Sequence, residues 1–225
     1  MDNDQKLAPI RDLFADPTPR KWVFTGDSIT HGAVHTYGWR DYTELFSERV
    51  RTELNRVRDV IIKTAINGRN TRQVLQDFDW GIGQFQPDVL FVMLGMNDCA
   101  GRNIPIEEFQ DNLKAIAQKA IDGWNCKVVM QTTCTVVDEG APGRAENLPD
   151  YMEAIRALSK EMELPLIDHT AYWKQQIAAA GGRRTAWLED PFHPNNHGHQ
   201  AFAELVFKEL NIFDEKAASC RLFRP

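Results

Sequence analysis

The apolar segment at residues 89–94, VLFVML, constrains the fold of this chain more than any other part of its sequence. It shows neither the alternation of a strand with one wet face nor the spacing of an amphipathic helix. A short, continuous apolar run is typical of a strand that is buried on both faces, as in a parallel sheet. The segment therefore predicts a central strand of an α/β protein, with helices on both sides of the sheet.

Further apolar runs alternate along the chain with stretches whose apolar residues have helical spacing. Strands are expected at residues 21–26, 59–66, 127–133 and 164–167. Helices are expected at about residues 39–57, 71–78, 105–121, 151–162, 171–180 and 196–210, with a Gly- and Pro-rich loop at 138–149. Such alternation predicts a parallel sheet with right-handed crossovers. No pattern is assigned to the tail at residues 214–225.

The length and charge of the chain suit a single domain that acts on something other than nucleic acid. Single α/β domains often exceed about 200 residues, and no linker divides this chain of 225 residues. We expect one domain over residues 1–225, with its core at about 20–212 and tails outside it. The net charge is −6 and the Lys and Arg residues are scattered. A nucleic-acid partner is therefore disfavoured, because phosphate contacts need clustered cations.

The cysteines and the first residues favour a cytoplasmic protein. The four cysteines form no CxxC pair, so no zinc or thioredoxin motif is expected, and unpaired cysteines suit a reducing compartment. The first residues lack the basic and apolar regions of a signal peptide, although secretion stays open if a leader was removed. No apolar stretch approaches ~20 residues, so no membrane partner is expected. The sequence indicates no cofactor and leaves the oligomeric state open.

Four short polar motifs stand out against this background. Three of them follow predicted strands directly, and the fourth precedes the last predicted helix. The motifs are GDSIT at residues 26–30, NGRNT at 67–71, GMND at 95–98 and DPFHPN at 190–195. In open parallel sheets, sites form just outside the carboxyl ends of the strands. We therefore expect these motifs to meet at that edge of the sheet.

The residues of these motifs are the ones that acyl transfer needs. Ser28 provides a hydroxyl at a strand-to-helix turn, and His193 can take its proton. Asp190 lies three residues before His193, close enough to accept a hydrogen bond from the imidazole. Gly68 offers a backbone N–H that no side chain obstructs, and Asn97 offers a side-chain amide to a developing oxyanion. The pattern favours a serine esterase.

The order and placement of the four motifs resemble the sequence blocks of the GDSL or SGNH hydrolases. The likeness extends over residues 26–195, with Ile29 where the family usually has Leu. The resemblance implies a three-layer α/β/α sandwich around a five-stranded parallel sheet, in the flavodoxin-like strand order 2-1-3-4-5. The whole chain would then be one SGNH hydrolase domain.

The resemblance also assigns roles to individual residues of this chain. It implies a catalytic triad in which Ser28 is the nucleophile, His193 the general base and Asp190 its orienting acid. It implies an oxyanion hole formed by the backbone N–H groups of Ser28 and Gly68 and by the side chain of Asn97. Neither a metal nor another cofactor takes part in this chemistry.

The substrate is less closely defined than the reaction. We expect hydrolysis of short-chain carboxylic esters through an acyl-enzyme, and we favour a carbohydrate O-acetyl ester because no long apolar lid for a lipid chain is visible. Lysophospholipase, thioesterase or acyltransferase activity on the same triad stays open, and so does a non-catalytic binding domain with this fold. The candidates for lining the pocket are His31, Arg69 and Trp187, while His35 lies either at the pocket or in solvent. Arg69 stands where the family commonly has a small or acidic residue.

A histidine cluster near the end of the chain raises the question of a metal site. His193, His197 and His199 form an HxxxHxH pattern, and imidazoles one helical turn apart can share an ion. However, His193 precedes Pro194, which places it outside the predicted helix. No acidic ligand has helical spacing from these residues, so we expect no metal.

Overall fold

The computed structural model describes residues 1–182 and 184–222. The strands are β1 (Lys21–Gly26), β2 (Val60–Lys63), β3 (Val89–Met93), β4 (Lys127–Gln131) and β5 (Leu166–Ile167). The α-helices are α1 (Asn3–Arg11), α2 (Ser28–His31), α3 (Tyr42–Ser47), α4 (Thr71–Gln76), α5 (Phe78–Gly81), α6 (Ile106–Trp124), α7 (Pro142–Glu161), α8 (His169–Ala179) and α9 (Asn196–Glu209). Short 3-10 or π-helical turns lie at Asp12–Phe14, Glu48–Glu53, Gly83–Phe85, Ala100–Arg102, Arg184–Trp187 and Ala218–Cys220.

The five strands form one parallel sheet in the order β2-β1-β3-β4-β5. This confirms both the parallel sheet and the strand order that the resemblance implied. All five residues of β3 are buried, as expected for a strand that is covered on both faces. The register of β3 and β1 places Phe91 beside Phe24, and their rings stack with centroids 4.4 Å apart.

Helices flank this sheet and complete a three-layer α/β/α sandwich. One group contains α3, α8 and α9, and the other contains α4, α6 and α7. Aromatic contacts join the first group to the sheet, since Phe24 meets the rings of Tyr42 and Phe46 on α3 edge to face. The helices thus bury the apolar strands, while the loops after β1, β2 and β3 carry three of the four polar motifs.

The prediction of a loop at residues 138–149 is wrong for residues 142–149, which are helical. Helix α7 begins at Pro142 and continues through Pro149. Pro142 lies in the first turn, where the missing N–H has no intrahelical partner to lose. Pro149 does lose one helical hydrogen bond, but Leu148 and Tyr151 beside it are buried in the core. Burial of this helix face outweighs the lost bond, and Gly and Pro content alone could not reveal that.

The other predicted helices differ from the structure mainly at their ends. The helix predicted at 39–57 begins only at Tyr42, where the Asp41 carboxylate caps it, and continues as the π-helical turn Glu48–Glu53. Helix α4 begins at Thr71, as expected, and Asn70 caps it. In the described part of the chain, none of the helices has both the length and the apolar character of a transmembrane span.

The N-terminal helix α1 is an element that the sequence patterns do not predict. Asp2 and Gln5 form a capping box at its start, and Pro9 lies inside it. The side chains of Leu7 and Ile10 are fully buried. Helix α1 is therefore held by its contacts with the core, which the interrupted local pattern did not indicate.

Candidate active site

The turn that presents Ser28 follows β1 without an intervening loop. Ser28 is the first residue of α2, and the carboxylate of Asp27 accepts a hydrogen bond from the N–H of Ile29 at 2.9 Å. Gly26 is required where β1 meets this turn, because a Cβ there would lie 2.5 Å from the carbonyl oxygen of Met93. Close packing of β1 against β3 thus fixes where the serine hydroxyl emerges.

Ser28, His193 and Asp190, predicted to form a triad, meet in the structure. Ser28 Oγ lies 2.9 Å from His193 Nε2, and His193 Nδ1 lies 2.6 Å from Asp190 Oδ2. An ionised Asp190 can only accept, so His193 Nδ1 carries the hydrogen and Nε2 is free to accept from the serine hydroxyl. The three groups therefore form one line of hydrogen bonds from hydroxyl to imidazole to carboxylate.

The charge states of this line follow from its surroundings. Burial acts to raise the pKa of Asp190, but hydrogen bonds from the N–H of Phe192 and from His193 outweigh it and hold that pKa below its ordinary value. Burial lowers the pKa of His193, and the bond to Asp190 only partly offsets this. The arrangement favours an ionised Asp190 carboxylate and a neutral His193 imidazole at neutral pH, which are the charge states that general-base chemistry requires.

The loop that carries Asp190 and His193 is held by backbone contacts. The N–H of Val137 donates to the carbonyl of Pro191 at 2.8 Å, which ties the loop to the segment after β4. Gly140 lies directly against Pro191, since a Cβ at this position would come within 2.1 Å of its Cγ. The segment 134–140 thus packs against the loop that carries Asp190 and His193. No sequence motif indicates this role.

Gly68 and Asn97, which with the N–H of Ser28 are predicted to form the oxyanion hole, lie on two loops that are bonded to each other. Asn97 Nδ2 donates to the carbonyl of Arg69 at 2.9 Å, so one amide hydrogen is held and the other remains for a ligand. Gly68 has a φ of +78°, and nothing lies within 4 Å of where its Cβ would be. The N–H of Ile66 donates to the carbonyl of Gly26 at 3.2 Å, which places the loop of Gly68 beside the Ser28 turn.

Two buried carboxylates, Asp27 and Asp98, brace these loops. Asp98 accepts from the backbone N–H of Thr71, while Asp27 caps α2 directly beside Ser28. Burial raises the pKa of Asp27 to about 7, with a smaller contribution from the like charge of Asp98. The pKa of Asp98 is also raised by burial. Both side chains bond loop backbone, and neither belongs to the line of bonds from Ser28 to Asp190.

The three residues predicted to line the pocket have different surroundings. His31 ends α2, and its buried Nδ1 has no hydrogen-bond partner among the described residues. Arg69 pairs through its guanidinium with Asp77 at 2.5 Å and offers its carbonyl to Asn97. Trp187 is only 7% exposed and packs edge to face on Trp173, so its ring offers little surface to a ligand.

Two residues beside the base were not among the predicted site residues. The ring of His35 stacks on that of His193, with centroids 3.7 Å apart. Arg144 places its guanidinium 4.1 Å from the ring centroid of Phe192 and donates to the carbonyl of Met96 at 3.2 Å. The only sequence signal for His35 at the site is its position shortly after the Ser28 turn. Arg144 lies in α7, within the region where the sequence predicts a loop.

His35, Asp190 and His193 form a possible metal-binding group, with one ligand atom from each lying within 4.8 Å of the others. The planes of the two imidazoles, however, are 7° from parallel in the stack. A nitrogen lone pair lies in the plane of its ring, so two stacked rings cannot both direct one at the same ion. His199 of the predicted cluster is buried, and its Nδ1 faces the N–H of Tyr42. The stacked rings of His35 and His193 therefore do not suit a shared ion.

A cavity of about 540 Å³ lies between α7, α8 and the segment after β4. Its walls include Val136, Met152 and Ile177, with Lys174 at the same cavity. Ser28, Asp190 and His193 are not among the described residues that line it. Apolar side chains from α7 and α8 make up much of the lining, together with the polar residues Thr135, Asp138, Thr170 and Lys174.

One family profile matches most of the chain. It is described as the GDSL-like lipase/acylhydrolase family, and it matches residues 24–201. The matched residues include all four polar motifs.

Individual relatives are more distant. An uncharacterized protein of Mycoplasma pneumoniae is 36% identical over 111 residues, which cover 48% of this chain and 12% of that protein. The rhamnogalacturonan acetylesterase of Bacillus subtilis is 34% identical over 115 residues, covering 50% of this chain and 49% of the esterase. The chain thus spans about half of the length of the esterase and much less of the Mycoplasma protein.

The fold is shared with solved structures. A catalytic mutant of an acetylxylan esterase from Geobacillus stearothermophilus superposes with a TM-score of 0.69, covering 85% of this chain and 94% of that one. The sequence identity is 17%, so this likeness speaks for the fold alone.

Proposed function

The chain belongs to the GDSL-like lipase/acylhydrolase family, and on that premise we propose that Ser28, His193 and Asp190 are the catalytic triad of a short-chain carboxylic-ester hydrolase. The observation that carries this proposal is the unbroken line of hydrogen bonds from Ser28 Oγ through His193 to Asp190. A base held in the correct tautomer beside a serine hydroxyl is the arrangement that nucleophilic acyl transfer requires.

In the first half of the reaction, Ser28 Oγ attacks the ester carbonyl carbon while its proton passes to His193 Nε2. The ionised Asp190 stabilises the imidazolium that forms. When the tetrahedral intermediate collapses, the bond to the alcohol oxygen breaks and His193 returns the proton to the departing alcohol. The acyl group remains on Ser28 as an ester.

In the second half, water replaces the alcohol and attacks the acyl carbon. His193 takes the proton of the water, and the acid product leaves as Ser28 Oγ regains its hydrogen. In both halves the negative charge on the carbonyl oxygen needs fixed donors. We assign this role to the backbone N–H groups of Ser28 and Gly68 and to the second amide hydrogen of Asn97.

For the substrate, we propose an O-acetyl ester of a carbohydrate. The name of the rhamnogalacturonan acetylesterase, which is 34% identical over half of this chain, supports this choice. The loop after α2 supports it by its surface, because the rings of Tyr37 and Trp39 are 72% and 66% exposed. The Tyr37 hydroxyl donates to Glu189, the neighbour of Asp190, so this loop borders the triad. Exposed aromatic faces can pack on sugar rings.

The test is an assay of purified protein on nitrophenyl esters of increasing acyl length and on acetylated xylo-oligosaccharides and pectic oligosaccharides. We expect the highest kcat/KM with acetyl esters, and acetate release from at least one acetylated saccharide. A fluorophosphonate probe should label the wild type and leave Ser28→Ala unlabelled.

The alternatives have their own signatures in the same assay. Highest activity on long acyl chains would favour a lysophospholipase or thioesterase, and ester formation with an added alcohol would favour an acyltransferase. A folded wild type that neither hydrolyses esters nor reacts with the probe would favour a non-catalytic binding domain and refute the triad.

A further inference from the structure

The imidazole of His35 lies flat against the imidazole of His193. Their ring centroids are 3.7 Å apart and their planes differ by 7°. His35 Nδ1 lies 3.8 Å from Asp190 Oδ2, the same oxygen that accepts the hydrogen bond from His193 Nδ1. One side chain outside the triad therefore covers a face of the base and also borders the acid.

The loop that carries His35 is held in place at both ends. Gly32 has a φ of +70°, and a Cβ there would lie 2.5 Å from the Cβ of Asp41, so the loop begins in close contact with the cap of α3. Thr36, next to His35, is buried. The Tyr37 hydroxyl donates to the carboxylate of Glu189, which joins the loop to the segment that carries the base. These contacts fix the ring of His35 over His193.

The backbone of this loop is also strained. Val34 has a φ of +71°, a conformation that is rare for a β-branched residue and costs of order 1–3 kcal/mol. Strain of this kind persists only where surrounding contacts outweigh it. His35 directly follows Val34, so the strained backbone conformation is part of what places the His35 ring against His193.

We propose that His35 is a positioning residue, whose stacked ring holds the imidazole of His193 in the plane where it bonds Ser28 and Asp190 together. This inference rests on the proposed function, because it requires His193 to be the general base. Rotation of the His193 ring about its Cβ–Cγ bond would break both hydrogen bonds at once. A flat ring against one face opposes that rotation and excludes water from the face.

The stack also bears on the proton affinity of the base. Charged or titratable groups that act on His193 include Asp190 on its own loop, His35 on the loop after α2 and Arg144 on α7. Burial is the largest influence and lowers the pKa of His193, and the charge of a protonated His35 acts in the same direction. Removing the His35 ring reduces both effects, so the pKa of His193 should rise.

The experiment compares His35→Ala and His35→Phe with the wild type on a short-chain nitrophenyl ester. We expect His35→Ala to lower kcat by about tenfold to a hundredfold, because small misplacements of a reacting group have effects of that size. KM should change little, since the substrate contacts remain. His35→Phe restores a flat ring that cannot titrate, and it should recover most of kcat.

The pH dependence provides a readout that a merely structural role would not move. The acid limb of the pH profile of kcat/KM reports the pKa of the general base in the enzyme without substrate. In His35→Ala it should shift to higher pH, with a smaller shift in His35→Phe, and NMR titration of the His193 ring should show the same order. Circular dichroism and urea unfolding establish that each variant is folded.

The outcomes separate this proposal from the function it rests on. An active wild type with an equally active His35→Ala and an unchanged pH profile would overturn the positioning role alone. Equal losses in folded His35→Ala and His35→Phe would overturn it as well, because the stack would not be the cause. A wild type inert to both ester and fluorophosphonate would refute the proposed function and the positioning role with it.

Discussion

Asp98 Oδ1 accepts two hydrogen bonds from Thr71, one from the backbone N–H at 2.9 Å and one from the hydroxyl at 2.6 Å. Both residues are fully buried. The pair joins the GMND motif to the NGRNT motif, which lie on neighbouring loops at the edge of the sheet. The relative placement of Gly68 and Asn97 therefore depends on a contact between two side chains that are 27 residues apart.

Replacing Thr71 by Val should weaken this junction. The variant keeps the shape of the side chain but deprives the buried Asp98 carboxylate of its hydroxyl donor. We expect the free energy of unfolding to fall by about 1–3 kcal/mol, the usual cost of a buried polar group that loses a partner. Urea unfolding measures this, and Thr71→Ser, which keeps the hydroxyl, should lose less. A Val variant as stable as the Ser variant would contradict the expectation.

Replacing Asn97 by Ala tests the proposed oxyanion hole. Loss of one such donor typically lowers kcat by about 10²–10³, and we expect a change of that size with KM within a few-fold of the wild type. Steady-state kinetics on an acetyl ester provide the measurement. Asn103→Ala, at an exposed position, is the control and should leave kcat unchanged. Wild-type turnover in folded Asn97→Ala would remove Asn97 from the hole.

The pH profile of the wild type should show an acid limb below the ordinary titration range of histidine. Burial lowers the pKa of His193 from its ordinary 6.5, so the base becomes neutral, and competent to accept a proton, already below pH 6.5. Profiles of kcat/KM on two esters with different leaving groups should agree in this limb. A midpoint above 6.5 would mean that the base is less desolvated than its surroundings indicate.

The stability of the protein should depend on the ionisation of Asp27. Its carboxyl has a pKa of about 7 in the folded protein against an ordinary 3.8, so between these values the folded state binds the extra proton. The free energy of unfolding should therefore fall as pH rises from about 4 to 7, by at most about 1.4 kcal/mol per pH unit. Asp27→Asn should lack this component of the fall.

Unfolding measured at several pH values reveals the difference between wild type and Asp27→Asn. The exposed Asp111 offers a matched control, and Asp111→Asn should follow the wild-type curve. A wild type and an Asp27→Asn variant with parallel curves would show that this carboxyl ionises in the folded protein as easily as in the unfolded chain.

The exposed ring of Trp39 should matter for sugars and not for small esters. Trp39 is 66% exposed and lines a cavity of about 350 Å³ together with Asn196, three residues beyond His193. Trp39→Ala should raise KM for acetylated oligosaccharides several-fold, since a sugar ring loses the aromatic surface on which it packs, while kinetics on nitrophenyl acetate stay unchanged. Trp80→Ala, which removes an equally exposed ring on α5, should alter neither. Equal effects of Trp39→Ala on both substrates would contradict a sugar-binding role.

Local sequence was sufficient wherever a short segment carries its own physical signal. The continuous apolar run of β3 is buried well only when layers cover both faces of the strand, so the run itself indicates a central strand. The motifs after β1, β2 and β3 could be placed at one edge because parallel strands end on the same side of a sheet. Ser28, Gly68 and Asn97 belong to these motifs, and Asp190 and His193 to the motif before α9, so all five could be proposed as site residues from the sequence.

Contacts between distant segments decided the rest. Helix α7 continues through Pro149 because one of its faces is buried against the core. The free energy of that burial depends on distant residues, so local sequence does not reveal it. Trp187 packs on Trp173 and is only 7% exposed, a burial that its position before Asp190 did not indicate. The stack of His35 on His193 joins residues 35 and 193 through the meeting of two loops. A residue's chemistry can be read from its name and its local pattern, but which groups touch depends on how the packed layers bring their loops together.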